Sequence, residues 1–112
     1  VAGMSEIKKI TDALHAFRDE RDWAQFHNPK DLAIAISVEA SELLEVFLWK
    51  KAEEADVARI KEELADIFAF AFQLAAHYNL DIPQIVGEKM EKNRLKYPVE
   101  KAKGTAKKYT EL

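Results

Sequence analysis

The chain has 112 residues, enough for one domain with one core and marginal for two. A net charge of −3 argues against nucleic acid as the main partner, and no apolar run reaches the length that spans a membrane. Cysteine is absent, which excludes a disulfide framework and a thiolate metal site.

Apolar residues make up 48% of the chain and charged residues 33%, the balance of a soluble helical protein with charged outer faces. No secretory leader is visible, so the cytoplasm is the expected compartment. Val1-Ala-Gly ahead of Met4 reads as a cloning remnant and takes no part in the fold reasoning.

Ser5 with Glu6 marks a helix start, and Ile7, Ile10, Leu14 and Phe17 follow at helical spacing. The first helix is expected from about Ser5 to Glu20. Arg21 to Pro29 has no clean period and closes in Asn-Pro, the pattern of a loop. A second helix is expected from Lys30 or Asp31, with Asp31 as its cap, to Lys50 or Lys51. A third runs from about Asp56 to Tyr78 on the stripe Val57, Ile60, Leu64, Ile67, Phe68, Ala71, Leu74 and Ala75. Asp81-Ile82-Pro83 opens a fourth, which reaches about Leu95 before Pro98 stops it. Val99 to Leu112 is lysine-rich and without period, and is expected to be a partly ordered tail. The reading is an all-α, single-domain, four-helix fold over residues 1–112. The second and third helices are apolar over more than one face, which points to an oligomer.

Two acidic couplets organise this pattern: Glu39-Ala-Ser-Glu42 and Glu63-Leu-Ala-Asp66. Spacing of i, i+3 puts both carboxylates of a couplet on one helix face. Each couplet lies in an apolar run, Ile34 to Trp49 for the first and Leu64 to Leu74 for the second. Buried carboxylates are costly unless paired or bound to a metal. One couplet alone would be an ordinary solvated face. Two, one helix hairpin apart, argue against coincidence. Facing each other, they would form an all-oxygen pocket suited to a hard cation such as Mg²⁺, not zinc or iron.

Carboxylate-held Mg²⁺ usually takes further ligands from substrate phosphates, so the chemistry indicated is Mg²⁺-dependent reaction of a phosphorylated small molecule. Lys89, Lys92, Asn93, Arg94 and Lys96 are candidates for the phosphates, with a solvated basic face as the alternative. A nucleobase needs an aromatic slot. Trp23 lies in the first loop, and Trp49 lies seven residues after Glu42, near two helical turns and so on nearly the same face. Core or interface packing is the commoner use of tryptophan. His15 and His27 could bond a base or sugar, or be merely structural.

The chain resembles the MazG-like, all-α nucleoside triphosphate pyrophosphohydrolases, most closely their dCTP pyrophosphatase branch. Glu39-x-x-Glu42, a spacer of twenty residues and Glu63-x-x-Asp66 match that family's metal motif. So do Leu14-His15, Arg21-Asp22-Trp23-x-Gln25-Phe26-His27, Phe47-x-Trp49-Lys50, Lys89-Met90-x-x-Asn93-Arg94-x-x-Tyr97-Pro98 and Lys108-Tyr109-Thr110. The resemblance covers nearly the whole chain. It implies hydrolysis of a deoxynucleoside triphosphate, with dCTP preferred, to the monophosphate and pyrophosphate. It implies Mg²⁺ on Glu39, Glu42, Glu63 and Asp66; Glu42 is taken as the base because a non-ligating oxygen of a metal-bound carboxylate can still accept a proton. It implies a base and sugar pocket from His15, Trp23, Gln25, Phe26, His27 and Trp49, with Lys89, Asn93 and Arg94 near the phosphates. Phe70 stands where close relatives carry tyrosine, so a phenol hydroxyl beside the sugar or base is lost. The resemblance also implies sites built at subunit contacts, in a homodimer or a tetramer of paired dimers.

The rival reading is a non-catalytic helical oligomerisation or binding module with an acidic docking face. Burial separates the two: docking carboxylates would be exposed, whereas Glu39 and Asp66 are expected to face apolar neighbours. A di-iron bundle would need Glu-x-x-His couplets, and Glu42 and Asp66 occupy the fourth positions instead.

Overall fold

The structure, a computed structural model, describes residues 5–112, so the stretch read as a cloning remnant lies outside the described residues. Those residues form five α-helices and no strand: α1 Glu6–Glu20, α2 Pro29–Val46, α3 Val57–His77, α4 Ile82–Lys96 and α5 Val99–Ala102. Short 3₁₀ turns occupy Ala24–Phe26, Ala52–Glu54 and Tyr109–Glu111. The chain divides into two compact units, one ending at Asn79 and one spanning Leu80–Leu112.

In the first unit, Ser5 caps α1 by accepting from the Lys8 amide at 3.1 Å. The helix ends in a Schellman-type turn: the Trp23 amide reaches back to the Arg18 carbonyl at 3.0 Å, and the Asp22 amide to Asp19 at 3.1 Å. Asp22 takes the left-handed position with φ of 55°, a conformation aspartate tolerates better than most residues. The turn folds Trp23 back on α1, where its ring meets Phe17 edge to face at 6.0 Å.

Both ends of α2 differ from expectation. Asn28, not Asp31, is the cap, its side chain accepting from the Asp31 amide at 2.9 Å, and Pro29 stands in the first turn. Proline there costs no hydrogen bond, so Asn-Pro starts a helix where a loop was expected. The other end stops at Val46, short of the expected Lys50 or Lys51. The amides of Phe47, Leu48 and Lys50 bond to carbonyls three residues back, and Trp49 turns to a φ of 61°. Apolar periodicity runs on through Phe47, Leu48 and Trp49, so the pattern could not reveal this stop.

Asp56 caps α3 through the Ala58 amide at 3.0 Å. Both α1 and α2 pack on α3, which makes it the spine of the unit. The buried apolar residues are Leu32, Val46 and Ala75, joined by the polar Thr11 and Gln73. Ile34, Val38, Leu44, Leu64 and Phe68 remain exposed on α2 and α3.

In the second unit, Asp81 caps α4 through the Gln84 amide at 3.0 Å, with proline again in the first turn. The stretch expected as a partly ordered tail contains a further helix. Pro98 ends α4 and, having an extended backbone itself, accepts the Ala102 amide at 2.9 Å to open α5. One turn of helix is too short to display a period, so a four-helix count was all the pattern could support. Gly104 closes α5's exit with φ of 79°, where a side chain would strain the backbone.

Candidate active site

Glu39 on α2 and Glu63 and Asp66 on α3 converge, each offering a carboxylate oxygen within 4.8 Å of the others. The i, i+3 spacing on α3 aims Glu63 and Asp66 the same way, and α2 packing supplies the third group. Glu42 is not one of that close trio. Its half-buried carboxyl is close enough to both Glu39 and Glu63 to act on their ionisation.

The cluster is electrostatically uncomfortable without a cation. Burial, then the neighbouring Glu42 carboxyl, push the Glu39 carboxyl up to about 7. The same two causes raise Glu63. Oε2 of Glu39 and Oε2 of Glu63 are both shut off from solvent with no hydrogen-bond partner. Unpartnered buried carboxylate oxygens are rare because each forgoes its hydration. An all-oxygen donor set with two such atoms fits a hard divalent cation, which would occupy these lone pairs and lower both shifts.

Asp66 is the hinge of the site. It is exposed, where burial against apolar neighbours was expected, but it also forms part of a cavity wall with Ala69 and Phe70. That cavity is about 270 Å³ and is lined by Leu14, Phe17, Arg18, Trp23, His27, Asp66, Ala69, Phe70 and Gln73. It is of a size for a single flat ring and is mostly apolar, with a carboxylate cluster at its edge.

Of the residues singled out from sequence, Trp23, His27 and Phe70 line this cavity. His27 meets Phe70 edge to face at 6.1 Å. Gln25 instead braces the loop, its amide donating to the Asp22 carbonyl at 2.9 Å, and Phe26 is exposed. His15, half-buried on α1, has its pKa lowered by burial and then by Arg18. Trp49 does not share a helix face with Glu42. It lies beyond the end of α2, on the left-handed turn, and is 93% exposed. Lys89 and Asn93 lie in the second unit, lining a groove on α4 with Ile85, Val86 and Met90, and Arg94 pairs with Glu91. Sequence reasoning passed over Arg18 and Gln73. Gln73 had a signal, since it is the one polar residue between Ile67 and Ala76.

The MazG-like family profile matches residues 34–112, which hold both couplets. The chain belongs to the MazG-like family. It is 34% identical to a pyrophosphatase from Archaeoglobus fulgidus, whose crystal structure superposes with a TM-score of 0.79 over 88% of this chain and 97% of that one. It is 45% identical to dCTP pyrophosphatase 1 of Bos taurus and 42% identical to that of Homo sapiens, in each case over 88% of this chain. The chain spans 64% of the length of these curated relatives. Among the described residues, no helix is long and apolar enough to cross a membrane.

Proposed function

We propose that this MazG-like chain is a Mg²⁺-dependent hydrolase that converts deoxynucleoside triphosphates, dCTP foremost, to the monophosphate and pyrophosphate. The observation that carries the reading is the junction at Asp66, where an acidic trio with unpartnered buried oxygens borders a ring-sized aromatic cavity. The similarity to proteins named dCTP pyrophosphatase 1 supports the choice of base.

Glu39, Glu63 and Asp66 would hold the cation, with Glu42 completing the set and serving as the candidate base for the attacking water. Mg²⁺ held there supplies charge for the phosphate chain and acidifies water. Trp23 and Phe70 would flank the base, and Leu14 and Phe17 exclude water from it. Lys89, Asn93 and Arg94, on α4 of the second unit, stay candidates for phosphate on their chemistry alone. Trp49 would close the slot from an adjacent subunit, since its ring finds almost no cover within its own chain. The exposed apolar face of α2 and α3 supports a homodimer or a tetramer of paired dimers. The cytoplasm, where deoxynucleotide pools are made, is the compartment this reading assigns.

The docking-module alternative is disfavoured by Oε2 of Glu39 and Oε2 of Glu63, which are closed to solvent and so offer nothing to a partner's lysine. A panel of dNTPs and NTPs with Mg²⁺, with products separated, tests the proposal. dCTP should be the fastest natural substrate and should release pyrophosphate. Orthophosphate release would overturn the reaction; faster turnover of dATP or dGTP would overturn the pocket.

A further inference from the structure

Gln73 is 6% exposed and stands in the wall of the cavity, among apolar residues of α3. Its amide nitrogen donates to the Ala69 carbonyl at 3.1 Å, and its carbonyl oxygen lies 3.0 Å from Nδ1 of His27. The direction of these bonds is forced. A backbone carbonyl can only accept, so the amide nitrogen belongs at Ala69, which leaves the amide oxygen facing His27. That oxygen in turn can only accept, so Nδ1 of His27 must carry the proton. In the neutral ring, Nε2 is then a bare acceptor.

We propose that Gln73 is a positioning residue that locks His27 in the Nδ1–H tautomer, so that Nε2 accepts a hydrogen bond from the exocyclic amino group of a bound cytosine. This rests on the reading of the cavity as a base pocket. Phe70, edge to face with the imidazole, holds the ring from a second side. Cytosine presents an amino donor where thymine presents a carbonyl acceptor. An acceptor fixed at Nε2 therefore bonds the first and meets the lone pairs of the second. With the other tautomer the preference would invert. The aromatic walls alone cannot make this choice, because a slot of given shape rejects a near-isostere weakly.

Long-range ¹H–¹⁵N correlation spectra of the full chain report the tautomer directly, with His27→Gln used to assign the signal among the three histidines. The Nδ1–H form is expected at neutral to mildly alkaline pH; the Nε2–H form would overturn the proposal. Gln73→Leu and the near-isosteric Gln73→Met should release the tautomer and lower kcat/KM for dCTP about tenfold more than for dTTP, the range in which a single hydrogen bond discriminates. Equal losses for both nucleotides would assign Gln73 a purely structural role and overturn the proposal. If the wild-type chain turned over no nucleotide, the functional reading would fail, and the tautomer spectrum would still decide the positioning of His27.

Discussion

Two concavities lie against α1 and α3, and they share Leu14 and Ala69 as wall residues. The first adds Asp66, His27 and Gln73 and holds a directed hydrogen-bond relay. The second, about 370 Å³, is lined by Ile10, Leu14, Ala65, Phe68, Ala69 and Phe72, with no side chain able to bond anything. Residues one step apart on α3 point into different concavities: Ala65 into one, Asp66 into the other. The contrast separates two uses of apolar surface. A few polar groups with forced directions make a selective small-molecule pocket. The same helices without them present a face suited to another protein surface.

The sharpest break of the comparison is Asp66→Asn. It preserves shape but removes a charged ligand at the junction. Turnover should fall on the order of a thousandfold, as when one charge-stabilising group is removed from an active site. Circular dichroism should be unchanged, and retained activity would remove Asp66 from the site.

The cation contributes next. Excess Mg²⁺ at about a hundred times its dissociation constant should add about 2.7 kcal/mol of stability. Without metal, the pH dependence should run opposite to that of a salt-bridged carboxylate. Glu39 titrates near 7 in the folded chain against 4.5 unfolded, so the folded state holds the extra proton between those values. Stability of EDTA-treated protein should therefore fall as pH rises from about 4.5 to 7, and the slope should shrink with Mg²⁺. Identical melts with EDTA and Mg²⁺ would count against the metal site.

The apolar concavity is probed by Phe68→Asp. Phe68 stacks on Phe72 at 5.7 Å and is 52% exposed, so the charge is tolerable in one chain but buried at a subunit contact. Association should weaken at least tenfold, with light scattering moving toward the 12.8 kDa monomer. If the wild-type chain scatters as a monomer, the face is not a subunit contact. The smallest expected change comes from the polar side. Phe70→Tyr restores a hydroxyl in the cavity, worth about 1 kcal/mol if it finds a partner. It should shift the ratio of dCTP to CTP turnover by roughly fivefold in favour of the deoxynucleotide. An unchanged ratio would place sugar recognition elsewhere.

The sequence by itself determined the helical character, the helix starts near Ser5, Asp56 and Asp81, and the shared helix face within each acidic couplet, Glu39 with Glu42 and Glu63 with Asp66. These follow from local rules: periodicity, side chains that satisfy the first amides, and i, i+3 spacing on a helix. Trp23 and His27 were legible as candidates from their chemistry and from the resemblance, but no period in the first loop showed that they share one cavity. Tertiary structure alone decided where α2 stops, that Trp49 leaves its helix, and that Gln73 faces His27. The last joins residues 46 positions apart, each with several partners possible in isolation. Only the packing of the first loop on α3 brings Nδ1 to an oxygen already oriented by the Ala69 carbonyl. That placement turns an ambiguous histidine into one with a defined acceptor.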